Sequence, residues 1–404
     1  MDHHVFNEVI HRKIDIIIFI ESFFYYVIYG GEVLKKKILF WIHTLSVGGA
    51  EKVLVNLVNN MDKTKFDITV ISVFGGVNAQ FLRKDIKYKS ILKKTFPGSS
   101  VIMKLFSPKR LHRMFIKDKY DIEISYLEGP SARIISGCPY EDTKLVSWIH
   151  IEQHNRNKAS GSFRSYEESV KCYEKFDRTI CVSEFVKNDF LSIYPNLKNV
   201  EVLYNTNETK QIIEQSKESV DSKVFNTKEI KIMGVGKVIP VKGFDKLARI
   251  HKKLRDEGYP VHCYVLGVGS ERGKIELYCK ENNIADSFTF LGYQTNPYKY
   301  VSKCDMFVCA SIAEGFSTAA TEALIVGIPV VTTLVSGMTE MLGENNEYGI
   351  ITENNEDALY QGIKKLLDDK ELLKHYTQQA QERGKFFSTE NTVKAVEDML
   401  LNFK

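Results

Sequence analysis

One pattern runs twice along this chain and constrains it more than any other feature. Short apolar runs of strand length alternate with longer amphipathic runs of helical length, first from Ile38 and again from Ile230. That alternation marks βαβ units, which build mainly parallel sheets covered by helices. In the first half, strands are expected at Ile38–His43, Ile68–Val73, Ile122–Leu127, Leu145–Ile149, Thr179–Val182 and Val200–Leu203, with a helix at Gly49–Met61. In the second half they are expected at Ile230–Val235, Val261–Leu266, Phe288–Leu291, Met306–Cys309 and Pro329–Thr333, with helices at Gly243–Glu257, Glu271–Glu281, Pro297–Ser302 and Thr318–Val326.

At 404 residues the chain is longer than a single hydrophobic core usually supports, roughly 250–300 residues. Two α/β domains are therefore expected. The polar stretch Asn205–Glu229 holds no convincing strand and reads as the linker. The expected division is an extension at 1–34, a first domain at 35–210, a second at 211–385 and a C-terminal helix at 386–404. No repeat of solenoid or propeller length is present. Two doubly wound domains facing each other take ligands beyond the carboxyl ends of their strands, so the chemistry belongs in the cleft between them.

Three segments fall at such strand ends. Strand Ile38–His43 runs into Thr44-Leu-Ser-Val-Gly-Gly-Ala-Glu51, which sets Gly48 and Gly49 at a helix N-terminus, where free N–H groups favour an anion. Met233-Gly-Val-Gly-Lys-Val-Ile-Pro-Val-Lys242 follows a strand, and Lys237 and Lys242 in its loop suit a diphosphate; a surface role is the ordinary alternative for any loop lysine. In Glu314-Gly-Phe-Ser-Thr-Ala-Ala-Thr-Glu322, Glu314 lies in a loop and Glu322 one turn into a helix capped by Ser317 or Thr318. The backbone N–H groups of Phe316, Ser317 and Thr318 are then available to phosphate oxygens.

Composition narrows the partners. A 44% hydrophobic and 26% charged chain is ordinary for a soluble globular protein, and a net charge of +4 is too small to imply a nucleic-acid partner. The bases are unevenly placed: twelve Lys/Arg against Asp85 and Asp118 lie between Phe81 and Tyr120, interleaved with apolar side chains. That mixture suits an anionic membrane surface; the plainer reading is a solvated basic face. The seven cysteines show no CxxC pair and no metal-ligand spacing with histidine, so reduced thiols in a cytoplasmic protein and no metal are expected. Residues 14–28 are apolar but contain Asp15 and Glu21 and fall short of the ~20 residues that cross a bilayer. Tyr29-Gly-Gly-Glu-Val-Leu reads as a translated ribosome-binding sequence and start codon, with the native chain expected to begin near Val33 or Leu34.

The order of Gly-Gly-Ala-Glu51, Ser147-Trp-Ile-His150, Cys181-Val-Ser-Glu184, Tyr204-Asn205, Gly236-Lys237-x4-Lys242-Gly, Gly267-Val-Gly269, Phe290-Leu-Gly292 and Glu314-x7-Glu322 resembles the retaining glycosyltransferases of family four. The likeness runs from about Lys36 to the C-terminus. It implies the GT-B fold, two Rossmann-like domains with the C-terminal helix packing back on the first, and metal-independent transfer from a nucleotide sugar. By position it implies that Lys237 and Lys242 bind the donor diphosphate and that Glu322 binds the ribose. Glu314 contacts the transferred sugar, and His150 meets it near the anomeric carbon. Where the family usually has arginine this chain has Lys237, which lacks the bidentate fork that grips a phosphate.

The expected reaction moves a hexose or N-acetylhexosamine, UDP-linked, to a lipid-linked or polysaccharide acceptor in cell-surface glycan synthesis, such as capsule or exopolysaccharide. The expected location is the inner face of the cell membrane. Three rivals are a catalytically silent sugar-nucleotide-binding or scaffold protein, a nucleotide-sugar epimerase, and a nicotinamide dehydrogenase. The last rests on Gly267-Val-Gly269 with Gly273, whose spacing departs from GxGxxG.

Overall fold

The structure, a computed structural model, describes residues 35–46, 48–92 and 103–403. Among them, β1 (Lys36–Thr44), β2 (Phe66–Phe74), β3 (Lys87–Leu92), β4 (Ile122–Ser125), β5 (Lys144–Ile149), β6 (Arg178–Cys181) and β7 (Val200–Val202) form one sheet. Its order is β3-β2-β1-β4-β5-β6-β7. A second sheet holds β8 (Ile230–Val235), β9 (Val261–Leu266), β10 (Phe288–Gly292), β11 (Met306–Cys309), β12 (Val330–Thr333) and β13 (Ile350–Thr352), in the order β10-β9-β8-β11-β12-β13. Every strand pair is parallel. Central strands of such sheets are covered on both faces, and Ile38 to Ile42 of β1 are accordingly all fully buried with no alternation.

The expected strands are present within a few residues of the bounds read from the sequence. Two edge strands were not foreseen. In β3 the lysines Lys87 and Lys89 mask the strand pattern, yet charge on an edge is how sheets resist pairing with a further chain. The short β13 has only three residues. The polar linker stretch carries a helix, Thr209–Ser216, which docks on the second domain. Ile212 packs with Tyr298 and Ile325, and the side chains of Asn296 and Ser302 donate to the carbonyls of Gln215 and Ser216.

The last helix, Thr389–Leu401, returns to the first domain as expected. Glu397 accepts from the Asp62 N–H at 2.6 Å, and Arg178 donates to the Asn402 carbonyl at 2.8 Å. Thr209 and Thr389 are bonded reciprocally, each backbone N–H donating to the other's hydroxyl at 2.9 Å.

The described part of the basic region is divided between an edge strand, turns and the helix Pro108–Phe115, and residues 93–102 lie outside the described residues. Ile86 and Leu111 belong to the core, whereas Phe81, Leu92, Leu105 and Met114 are exposed. Arg83, Lys87 and Lys119 pair with Asp85, Asp67 and Asp142. All seven cysteines are free, and all but Cys138 are buried. The apolar run at 14–28 and the expected start near Val33 or Leu34 lie outside the described residues. Among the described residues, no helix is long and apolar enough to cross a membrane.

Gly243 joins the loop after β8 to the helix Phe244–Asp256 at φ 65°, and a Cβ there would stand 2.1 Å from the Ala310 carbonyl oxygen. Gly243→Ala should therefore destabilise the second domain by at least about 1–3 kcal/mol, read by chemical denaturation.

Candidate functional site

Strand order reverses between β1 and β4 in the first sheet and between β8 and β11 in the second. A crevice opens beyond the carboxyl ends of such strands. The loops that leave β1, β8 and β11 are the three segments singled out from the sequence.

The loop after β8 ends in a 3₁₀ turn, Pro240–Lys242. Lys242 Nζ lies 2.5 Å from Glu314 Oε1 on the loop after β11. The Ser311 hydroxyl donates to the same oxygen at 2.7 Å, and the Ser311 carbonyl is held in turn by the Thr333 hydroxyl at 2.6 Å. Glu314 is thus fixed from three strand ends, with its side chain only 10% exposed.

The next residue brings this loop onto the first domain. A Cβ on Gly315 would lie 1.9 Å from the His150 carbonyl oxygen, so glycine is required there by close approach of two backbones. Ser183, at the start of a first-domain helix, donates to the Gly315 carbonyl at 3.3 Å. His150 itself follows β5, is 7% exposed and packs against Tyr126 with ring centroids 5.0 Å apart. Burial depresses its pKa to about 3, although a bond from the ring to the Tyr126 backbone opposes the shift. Nε2 has no partner. The bonded nitrogen is therefore Nδ1, donating to a carbonyl, and a neutral ring in this tautomer presents Nε2 as an unused acceptor. The His150 backbone is anchored by its N–H, which donates to Glu128 at 3.0 Å.

Ser317 caps the helix Thr318–Ile325, its hydroxyl accepting from the Ala320 N–H at 3.4 Å. The backbone N–H groups of Phe316, Ser317 and Thr318 have no acceptor among the described residues, so this helix end offers three donors to an anion.

Glu322, further along the helix, is engaged by a residue the sequence did not point to. Lys52, from the first-domain helix Gly49–Asn60, approaches Glu322 Oε1 to 2.5 Å and donates to the Tyr298 hydroxyl at 2.8 Å. Tyr298 in turn donates to Glu322 at 3.1 Å. Burial alone would lower the Lys52 pKa, but Glu322 and Tyr298 outweigh it and hold it well above the usual lysine range. Lys52 directly follows Gly-Gly-Ala-Glu51. Nothing in its local sequence shows that it reaches the other domain.

The remaining predicted residues lie at the cleft without joining that cluster. Gly48 is extended, and Glu51 folds back over it, so that a Cβ on Gly48 would stand 2.0 Å from the carboxylate. Burial raises the Glu51 pKa, while its own backbone N–H and the charge of Lys237 oppose the rise. A Cβ on Gly49 would meet nothing within 4 Å, which leaves room at the helix end. Lys237 is exposed and, among the described residues, has no carboxylate within ion-pair distance. The Gly236 carbonyl packs where a Cβ on Gly267 would stand, 1.8 Å away, which joins the loops after β8 and β9.

Residues 47–210 match Glycosyltransferase Family 4, and residues 215–383 match Glycosyl transferases group 1. The chain belongs to this family of glycosyltransferases. It is 27% identical over 383 residues to the N-acetylgalactosamine-N,N'-diacetylbacillosaminyl-diphospho-undecaprenol 4-alpha-N-acetylgalactosaminyltransferase of Campylobacter jejuni, covering 90% of this chain and 98% of that one. It is 23% identical over 298 residues to a poly(ribitol-phosphate) alpha-N-acetylglucosaminyltransferase of Staphylococcus aureus, covering 73% and 57%. Its fold is that of Anabaena Alr3699/HepE solved with UDP, at a TM-score of 0.74 and 17% identity over 91% of this chain and all of that one. Staphylococcus aureus TarM, solved with UDP, superposes at 0.70 with 15% identity over 91% and 100%. The architecture of this glycosyltransferase is therefore GT-B.

Two outcomes follow from the geometry. Lys52→Met and Glu322→Gln should be non-additive in a double-mutant cycle of unfolding free energy. The bridge is partly exposed, so the coupling should be about 0.5–1 kcal/mol, and additive effects would mean that it does not form in solution. His150 should keep a neutral, Nδ1-protonated ring between about pH 5 and 8 in side-chain ¹⁵N spectra. Because its folded pKa is depressed, it stabilises the fold above its unfolded pKa. That contribution is lost as pH falls from near 6.5 toward 3.

Proposed function

We propose that this glycosyltransferase moves a hexose or N-acetylhexosamine from a UDP-linked donor to a lipid-linked or polysaccharide acceptor. Transfer retains the anomeric configuration and requires no metal. The observation that carries the reading is the convergence of Lys242, Glu314 and the three free N–H groups at Phe316–Thr318 at the switch point between β8 and β11, with the His150 backbone packed against Gly315.

Departure of a nucleoside diphosphate from an anomeric carbon builds negative charge on phosphate and positive charge on the sugar. Lys242 and Lys237 meet the diphosphate beside the helix end, a preorganised electrostatic arrangement in which loss of one donor typically costs about 10²–10³ in rate. When Lys242 turns to the diphosphate, Glu314 keeps its bond from Ser311 and accepts from hydroxyls of the transferred sugar. His150, neutral, accepts a sugar hydroxyl at Nε2. Glu322 exchanges Lys52 for the ribose diol, and the close fit of Gly315 on His150 keeps water from the reacting carbon.

The undecaprenol-linked substrate in the Campylobacter relative's name and the poly(ribitol-phosphate) of the Staphylococcus relative support a cell-surface glycan acceptor. Exposed Phe81, Leu92, Leu105 and Met114 among the bases of the first domain favour work at an anionic membrane on its cytoplasmic side.

A panel of nucleotide sugars, tested by thermal shift and by release of free nucleotide with EDTA present, examines the reading. A donor at 100 times its dissociation constant should stabilise the protein by about 2.7 kcal/mol, and turnover should survive EDTA. In the same assay Glu322→Ala should chiefly weaken nucleotide binding, and Glu314→Ala should chiefly depress turnover. Stabilisation by no nucleotide sugar would overturn the donor assignment, and the opposite mutant pattern would reverse the two roles.

A further inference from the structure

Away from the cleft, the first domain brings together three side chains that its mechanism does not use. Glu123 is the second residue of the central strand β4, His112 lies on the helix Pro108–Phe115, and Cys138 lies on the loop that leads toward the amino end of β5. Their ligand-type atoms all lie within 4.8 Å of one another. Glu123 and His112 are 0% and 1% exposed, and His112 Nε2 is 2.7 Å from Glu123 Oε2. The second carboxylate oxygen, Oε1, is buried without a hydrogen-bond partner. No lysine or arginine pairs with Glu123 among the described residues; its one ion-pair partner is the imidazole.

A carboxylate in the middle of a covered sheet, with one oxygen unused, is costly unless a cation or proton compensates it. Three donors of nitrogen, oxygen and sulfur type, converging from three elements, are the set that zinc-class ions take. The charges also balance, since one carboxylate, one thiolate and a neutral imidazole carry two negative charges against a divalent ion. We propose that His112, Glu123 and Cys138 form a binding site for a thiophilic divalent cation, of which zinc is the type, with water in the fourth position. Coordination through Nε2 requires the neutral ring to carry its proton on Nδ1, and the thiol proton of Cys138 passes to solvent. The ion ties the helix Pro108–Phe115 and the loop after Pro130–Ile135 to the strand between them. It has no part in sugar transfer.

Cobalt(II) tests the site, because a thiolate ligand gives a near-ultraviolet charge-transfer band that imidazole and carboxylate do not. The full chain, stripped of metal and titrated with Co²⁺, should show that band saturating at one equivalent, and Zn²⁺ should abolish it and raise the melting temperature. Cys138→Ala should remove the band and the Zn²⁺-dependent shift while leaving the circular dichroism of the protein unchanged. Cys138→Ser serves the same purpose should the alanine variant fold poorly. His3 and His4 near the amino terminus can bind cobalt too, but without a thiolate band. Absence of the band in folded wild type, or its persistence in both Cys138 variants, would overturn the proposal.

Discussion

In a parallel sheet joined by right-handed crossovers, both faces can be covered only if the strand order reverses once, because crossovers before and after the reversal lie on opposite faces. In this protein that reversal falls between β1 and β4 and between β8 and β11, and the candidate site hangs on it. The reversal parts the loops on either side of it and turns the amino ends of the following helices toward the gap. Into that gap project Lys242, Glu314 and the uncapped N–H groups of the helix Thr318–Ile325, with His150 of the first domain against the same loop. None of these groups would be a site alone. The topology makes them neighbours.

Without ligand, the cleft resolves its own electrostatics. Lys242 rests on Glu314 and Lys52 on Glu322, and Glu51 lies folded over Gly48 at its helix end. The carboxylates that would otherwise repel a diphosphate are matched to the cations that would attract it. On the proposed reading, a donor entering the cleft would exchange one partner for another and leave no charge stranded in a low-dielectric gap. Glu322 is the clearest instance, because its lysine comes from the other domain, so a donor bound there as proposed would alter an interdomain tie.

Much of this was legible in the sequence, for a physical reason. Inner strands covered on both faces read as mainly apolar runs, unbroken in β1 and interrupted by single polar residues in β2, β8 and β9, and the glycines and lysines at their ends follow. Edge strands such as β3 carry lysine and lose that signature. Glu314, His150, Lys242 and Ser317 could be found because each sits in a motif attached to a strand end. Lys52 and Tyr298 could not, since their role exists only once two separate domains face each other. The grouping of His112, Glu123 and Cys138 escaped for the same reason: eleven and fifteen residues separate successive members, and no local spacing marks ligands brought together by tertiary folding.

The return of the helix Thr389–Leu401 to the first domain has a mechanical meaning. The chain passes between domains twice, near Asn207–Thr209 and again near Ser388–Thr389, and the reciprocal Thr209–Thr389 bonds clasp the two passages together. Two strands of chain fastened at one point behave as a pivot. Rotation about that clasp would open the far mouth of the cleft, as jaws do. In such a rotation the residues nearest the clasp would move least.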